Sequence, residues 1–247
     1  MRVLCVVPAR LGSTRLPDKP LRIVAGEPLI RHVARRALEL DVAAEVVVAA
    51  DHNAVTDAVA DLPVTPLVTP GACGSGTERA AFVARLPEYA WADAVLNVQG
   101  DEPLVSRDAV MGALDRVRAG DDVGTAAGPL PAEAMRDPNR VKVVVDGRGR
   151  ALAFFRTARG PACRRSGAVF HHVGVYAYRR AALLRWAALP PVIEEQSEML
   201  EQLRPLAHGM RIGVALLPEA PPPGVDTPED LDRMEQLLMA DGPRMGR

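Results

Sequence analysis

Arg10, Arg15 and Lys19 fall in one short segment together with Gly12, Ser13 and Thr14. Cations at that density suit a polyphosphate, and a glycine lets backbone N–H groups approach it closely. The segment has neither the Gly-Lys-Ser/Thr of a Walker loop nor the Gly-x-Gly-x-x-Gly of a dinucleotide turn. By composition alone it reads equally well as a solvated loop with scattered arginines. In Gly74-Ser75-Gly76-Thr77-Glu78-Arg79, Ser75 and Glu78 have capping-box spacing ahead of a helical pattern. A helix N-terminus there exposes backbone donors that can meet a base or a phosphate, although a capped helix alone accounts for Glu78. Asp101, in Asn97-Val98-Gln99-Gly100-Asp101-Glu102-Pro103, offers a carboxylate of the kind that holds magnesium. A lone aspartate is also an ordinary turn residue. In Gly224-Val225-Asp226-Thr227-Pro228-Glu229-Asp230, Thr227 is the expected N-cap, Pro228 the first helical residue and Asp230 the capping partner. That leaves Asp226 outside the helix. Asp101 and Asp226 could share one metal, but their spacing does not bring them together.

The elements that must position these residues follow from periodicity. Residues 3–7 form an apolar, β-branched run ending at Pro8, the pattern of a buried parallel strand. Further strands are expected at 45–50, 64–68, 94–98 and 122–127, with helical patterns at 29–38, 55–60, 80–86 and 109–117 between them. Alternating strand and helix predicts an α/β fold with a mainly parallel sheet flanked by helices. The first cationic segment and Asp101 then both follow strands, at the carboxyl edge where such sheets bind ligands. Beyond Pro138 the pattern changes: strands at 140–146 and 150–155 flank Gly147-Arg148-Gly149, a hairpin signal. A strand at 173–178, a helix at 195–203, a strand at 212–217 and a helix at 227–239 complete the chain. The expectation is one domain over 1–247, with an inserted hairpin subregion at about 139–205.

Composition narrows the classes. The net charge of −1 and only nine Phe, Tyr and Trp residues argue against a nucleic-acid binder. Three widely spaced cysteines suggest neither a disulfide framework nor a zinc site. No apolar run has transmembrane length and no signal peptide is evident, so the cytoplasm is expected and no membrane partner is. Lys19 and Lys142 are the only lysines among 30 basic residues. A GC-rich source accounts for the arginine excess; a lysine kept in such a chain can do what arginine cannot.

Taken together, these segments resemble the CMP-KDO synthetase family, the 3-deoxy-manno-octulosonate (KDO) cytidylyltransferases. The likeness rests on Pro8-Ala9-Arg10, Ser13 through Pro17, Lys19-Pro20, Pro28-Leu29-Ile30, Ala50-Asp51-His52 and Ser75 through Arg79. It continues through Asn97–Pro103, Asn139 through Val143, Glu198 through Arg204 and Gly224 through Leu231, nearly end to end. The resemblance implies a fold of the nucleotide-diphospho-sugar transferase type and a homodimer. It implies that Arg10 and Lys19 hold the CTP phosphates, that Ala9, Ser13, Arg15, Ser75 and Gln99 complete the CTP site, and that Asp101 and Asp226 hold Mg²⁺. Arg79, Gln99, Arg156, His172, Glu198, Glu201 and Gln202 are implied on the acceptor side. An acceptor oxygen would attack the α-phosphorus of CTP and pyrophosphate would leave, with charge neutralisation as the main catalytic effect.

The match departs at 155–167, where a Ser-Arg-x-x-Ile-Pro segment is expected and only Arg156 and Pro161 correspond. The loop instead carries Arg156, Arg159, Arg164 and Arg165. With the arginine-rich composition, it turns the expected acceptor toward a small phosphonate such as phosphonoformate, with KDO as the alternative. Two other classes compete. A glycosyltransferase lacks support because its Asp-x-Asp motif is missing, Asp101 being followed by Glu102-Pro103. A non-catalytic nucleotide-binding module would bind CTP without turnover.

Overall fold

The computed structural model describes residues 1–12, 16–157, 166–219 and 224–240. Its main sheet is built from β1 (Val3–Ala9), β4 (Glu45–Ala50), β5 (Thr65–Val68), β6 (Ala94–Val98), β7 (Val123–Gly128), β10 (Ala168–Arg179) and β11 (Ile212–Leu216). The spatial order is β11-β7-β10-β6-β1-β4-β5. All neighbours run parallel except β10, which is antiparallel to both β6 and β7. A minor hairpin, β2 (Ile23–Val24) and β3 (Glu27–Pro28), precedes the first helix. The sequence-expected hairpin is present as β8 (Lys142–Val145) and β9 (Ala151–Phe155), and β8 pairs with the first residues of β10.

The continuous apolar run of β1 is explained by burial on both faces. Leu4 and Val6 enter one core, beneath α3 (Gly76–Arg85) and α5 (Arg180–Ala188). Val3, Cys5 and Val7 enter the other, beneath α1 (Leu29–Glu39) and α4 (Arg107–Arg118). That is the period of two of a strand in the middle of a layered fold. Each of these side chains is at most 3% exposed, so truncating Leu4 to alanine would cost about 2–5 kcal/mol.

Two expectations are corrected. The helix at 195–203 is two short helices, α6 (Ile193–Glu198) and α7 (Leu203–Ala207). Met199 between them is left-handed (φ 54°), and Leu200 N–H donates to Glu195 O at 3.2 Å. The reversal buries Leu200, Gln202 and Leu203, which one straight helix could not do because α6 buries nothing. Helix α5 was not expected at all, although Ala182, Leu183 and Trp186 mark its inner face. The short α2 (Asn53–Asp57) and the closing α8 (Pro228–Ala240) lie close to their expected places. Among the described residues no helix is long and apolar enough to cross a membrane.

Candidate active site

Three chain segments converge at the carboxyl ends of β1 and β6. The first carries Lys19 in a 3-10 turn, Lys19–Leu21. The second leaves β6 through Gln99, Gly100 and Asp101. Gly100 is required there, because a Cβ would stand 2.6 Å from Pro8 O at the end of β1. The third precedes α8, whose cap forms as the spacing predicted: Asp230 N–H donates to Thr227 Oγ1 (3.2 Å), and Asp230 Oδ2 accepts from Thr227 N–H (3.0 Å) and Asp226 N–H (3.1 Å). A small separate core of Leu16, Val24, Leu29, Val225 and Met234 binds the first segment to the third. Val225 N–H donates to Asp101 O at 2.9 Å and ties in the second.

At the junction the Lys19 ammonium donates to Asp101 Oδ2 (2.6 Å), Asp226 Oδ1 (3.0 Å) and Val225 O (2.9 Å). Asp101 and Asp226, 125 residues apart in the chain, therefore do converge on one cation. Burial opposes the charge on Lys19, but the two carboxylates outweigh it and raise its pKa. Behind them sits Glu102. Its carboxyl is pushed up to about 8 by burial and by the charges of Asp101 and Asp226, against the pull of Lys19 and of Gly174 N–H. It is a neutral acid at pH 7. Gly174 and Gly224 close over it, each so near that a Cβ would meet Glu102 Oε1 within 3.0 Å. Sequence reasoning weighed Glu102 only as the residue that spoils an Asp-x-Asp motif. Its adjacency to Asp101 was the signal available.

Two clefts open from this junction. The smaller, about 310 Å³, is lined by Ala9, Arg10, Lys19, Ser75, Gly76 and Arg79, among others. Ser75 caps α3 by accepting from Glu78 N–H at 3.1 Å, and Arg10 reaches across to Gly74 O at 3.3 Å. The cleft thus combines a helix N-terminus with exposed positive charge, the combination that suits a phosphorylated ligand. The larger cleft, about 600 Å³, is walled by Arg140, Arg156, His171, His172 and Gln202. Gln99, Asp101, Glu201 and Asp226 line both. Ligands in the two clefts would meet at the aspartates.

A cytidylyltransferase family model matches residues 4–212. The chain is 47% identical over 240 residues to a 3-deoxy-manno-octulosonate cytidylyltransferase of Gemmatimonas aurantiaca, covering 94% of this chain and 93% of that one. It is 45% identical over 248 residues to the enzyme of the same name from Methylococcus capsulatus, with 94% and 95% covered. The chain belongs to the CMP-KDO synthetase family.

A solved CMP:2-keto-3-deoxy-manno-octonic acid synthetase complexed with CTP superposes with a TM-score of 0.86 at 37% identity, over 98% of this chain and 100% of that one. A 4-diphosphocytidyl-2C-methyl-D-erythritol synthase from Anaerococcus prevotii, at TM-score 0.63 and 11% identity, shares the fold. As a member of the CMP-KDO synthetase family the chain is a CTP-dependent cytidylyltransferase. The expected turn toward a phosphonate acceptor finds no support among these relatives, which are named for KDO.

The family-implied residues divide by place. Ala9, Arg10, Lys19 and Ser75, which the resemblance assigns to CTP, all line the smaller cleft, while Ser13 and Arg15 lie outside the described residues. Arg79, expected on the acceptor side, is instead buried in the wall of the smaller cleft. Its guanidinium bonds Thr69 Oγ1 and Cys73 O and stands 4.0 Å from Asp51. Glu198 lines neither cleft. It braces Arg156, accepting from Arg156 N–H at Oε2 (3.0 Å) and from Nε at its own carbonyl (3.2 Å). Arg156, Gln202 and His172 do line the larger cleft. His172 is buried, with Nε2 2.9 Å from Thr125 Oγ1 and its ring edge-on to Phe154. Burial, then the neighbouring His171, pushes its pKa down to about 3, so it is a neutral polar wall group. Glu201 is raised by burial, opposed by hydrogen bonds from Ser75 and Thr77 at the start of α3. Arg204 holds this segment in place through Glu195 (2.6 and 2.8 Å) and Glu78 (3.8 Å). Of the departing arginines, Arg159, Arg164 and Arg165 lie outside the described residues.

Proposed function

We propose that the chain activates KDO by transferring CMP from CTP, with release of pyrophosphate. The observation that carries this reading is the shared wall of the two clefts at Gln99, Asp101, Glu201 and Asp226. A nucleotide in the smaller cleft and a sugar acid in the larger would meet there. A hydroxyl oxygen of the acceptor bonds to the α-phosphorus, the bond from that phosphorus to the bridging oxygen breaks, and the hydroxyl proton is released. Arg10 and Lys19 supply positive charge to the phosphates. Ser75 and Gly76 present the α3 N-terminus to the nucleotide, and Arg140 and Arg156 face the acid. These groups act by position and charge, which is most of what phosphoryl transfer asks of a protein.

Mg²⁺ is the metal we assign to this reaction. It takes hard oxygen ligands, commonly one or two carboxylates plus substrate phosphates. Asp101 and Asp226 fit: both already turn an oxygen to a single cation, the Lys19 ammonium. Among the described residues no cluster of three or more His, Cys, Asp or Glu could hold a metal, so phosphate oxygens and water would complete the shell. Bound there, the ion would neutralise phosphate charge and ease the departure of pyrophosphate. We also assign a homodimer. Ile193 and Met199, 81% and 77% exposed around α6, support an apolar contact, and sedimentation velocity tests it.

The deciding experiment is pyrophosphate release with CTP and Mg²⁺, comparing KDO with phosphonoformate. Release with KDO is expected. Release with phosphonoformate and none with KDO would overturn the acceptor assignment.

A further inference from the structure

Lys142, the second of the two lysines, opens β8 and pairs with Phe155 on β9 and His171 on β10. It is fully buried, 0% exposed. Buried ammonium groups are costly, and an apolar side chain would fill a strand position without that cost. Its Nζ donates to two main-chain carbonyls, Asp137 O at 2.5 Å and Arg156 O at 2.7 Å. The Asp137 carboxylate accepts from Asn139 N–H at 2.9 Å and stands 3.6 Å from Arg140.

The two carbonyls belong to neighbouring segments that both line the larger cleft. Asp137 ends the segment that delivers Asn139 and Arg140 to its wall. Arg156 is the first residue beyond β9. Its own guanidinium returns to Pro138 O at 3.2 Å and to Glu198 O at 3.2 Å. The segments are therefore joined twice, once by the buried Lys142 and once by the Arg156 side chain. A compact ammonium can sit between two carbonyls where a planar guanidinium is too broad, which gives a reason for lysine in a chain whose other basic residues, Lys19 apart, are arginine.

We propose that Lys142 is a positioning residue for the acceptor: by holding the carbonyls of Asp137 and Arg156 it fixes the backbone from which Arg140 and Arg156 meet an acid. The inference rests on reading the larger cleft as the acceptor site. It makes Lys142 act on acceptor binding and not on CTP, which uses the other cleft.

The test is steady-state pyrophosphate release for the unaltered protein, Lys142→Met, Arg156→Ala and the double variant, with the KM for KDO and for CTP measured separately. Lys142→Met should raise the KDO KM roughly tenfold or more and leave the CTP KM within about twofold. Arg156→Ala should add little in the Lys142→Met background, because both join the same two segments. Val143→Ala, the buried neighbour on the same strand, should lower the melting temperature without moving the KDO KM. An unchanged KDO KM in Lys142→Met, equal rises for both substrates, or an equal rise from Val143→Ala would overturn the proposal. Should Lys142→Met not fold, Lys142→Gln, which keeps an amide donor, carries the same comparison. No release by the unaltered protein with KDO would overturn the functional reading instead, and the comparison would then run with phosphonoformate.

Discussion

The Lys19 ammonium stands 2.6 Å from Asp101 Oδ2, and that contact, with Asp226 and Val225 O, occupies all three of its N–H donors. Lys19 therefore holds the two aspartates together, and it must give up a partner to reach a phosphate. A divalent ion arriving with CTP would supply the replacement charge. Lys19→Met should lower kcat/KM for CTP by about 10²-fold or more, the scale of losing one electrostatic stabiliser. Unchanged CTP kinetics would remove Lys19 from the nucleotide site.

Asp101→Asn and Asp226→Asn separate metal binding from folding. Each keeps the side-chain shape and still accepts from Lys19, so the melting temperature should hold to within a few degrees. Turnover should fall about 10²-fold or more in each, with a higher Mg²⁺ concentration needed for half-maximal rate. A variant with near-normal rates and Mg²⁺ dependence would take that aspartate out of the metal site.

Much of this site was legible in the sequence because its parts sit at predictable places. Strand ends located Lys19 and Asp101, and the capping residues Ser75 and Thr227 fixed the helix starts that flank them. What local pattern could not supply was the meeting of distant segments. The small core of Leu16, Val225 and Met234 draws Lys19 and Asp226 together, and no periodicity encodes it. Burial was equally hidden. Arg79 and Glu198 carry charges that read as ligand-binding, but tertiary packing commits the first to Thr69 and the second to Arg156. Glu102 is the reverse case, a residue set aside on motif grounds that lies against both aspartates. The break at Met199 follows from which residues the fold buries, not from helix propensity.

Glu198 gives a prediction that distinguishes bracing from contact. Among the described residues its carboxylate reaches the larger cleft through Arg156 N–H. Glu198→Ala should raise the KDO KM about two- to fivefold, less than Arg156→Ala, and leave kcat and the CTP KM nearly unchanged. A loss equal to or larger than that of Arg156→Ala would place Glu198 in direct contact with the acceptor.

The paired histidines predict how stability varies with pH. His172 is buried against Phe154 and Tyr176, which pushes its pKa down to about 3. His171 is lowered to about 4 by burial and by Arg140 and Lys142, with Asp137 pulling the other way. Both stay neutral in the folded protein, whereas in the unfolded chain each takes a proton near its ordinary value of 6.5. The unfolded state thus binds more protons below that pH. The histidines' contribution to stability is complete above about pH 6.5 and declines as the pH falls toward 4, while Glu102, raised to about 8, contributes in the opposite sense between that value and its ordinary 4.5. Urea unfolding midpoints across pH 5 to 7.5, compared between the unaltered protein and His172→Gln, isolate the histidine part, because the opposing Glu102 is common to both. His172→Gln keeps a polar side chain beside Thr125 but cannot titrate, so its slope should be shallower by about one proton. Parallel slopes for the two proteins would mean that His172 is charged in the fold, and its burial beside Thr125 would then need another account.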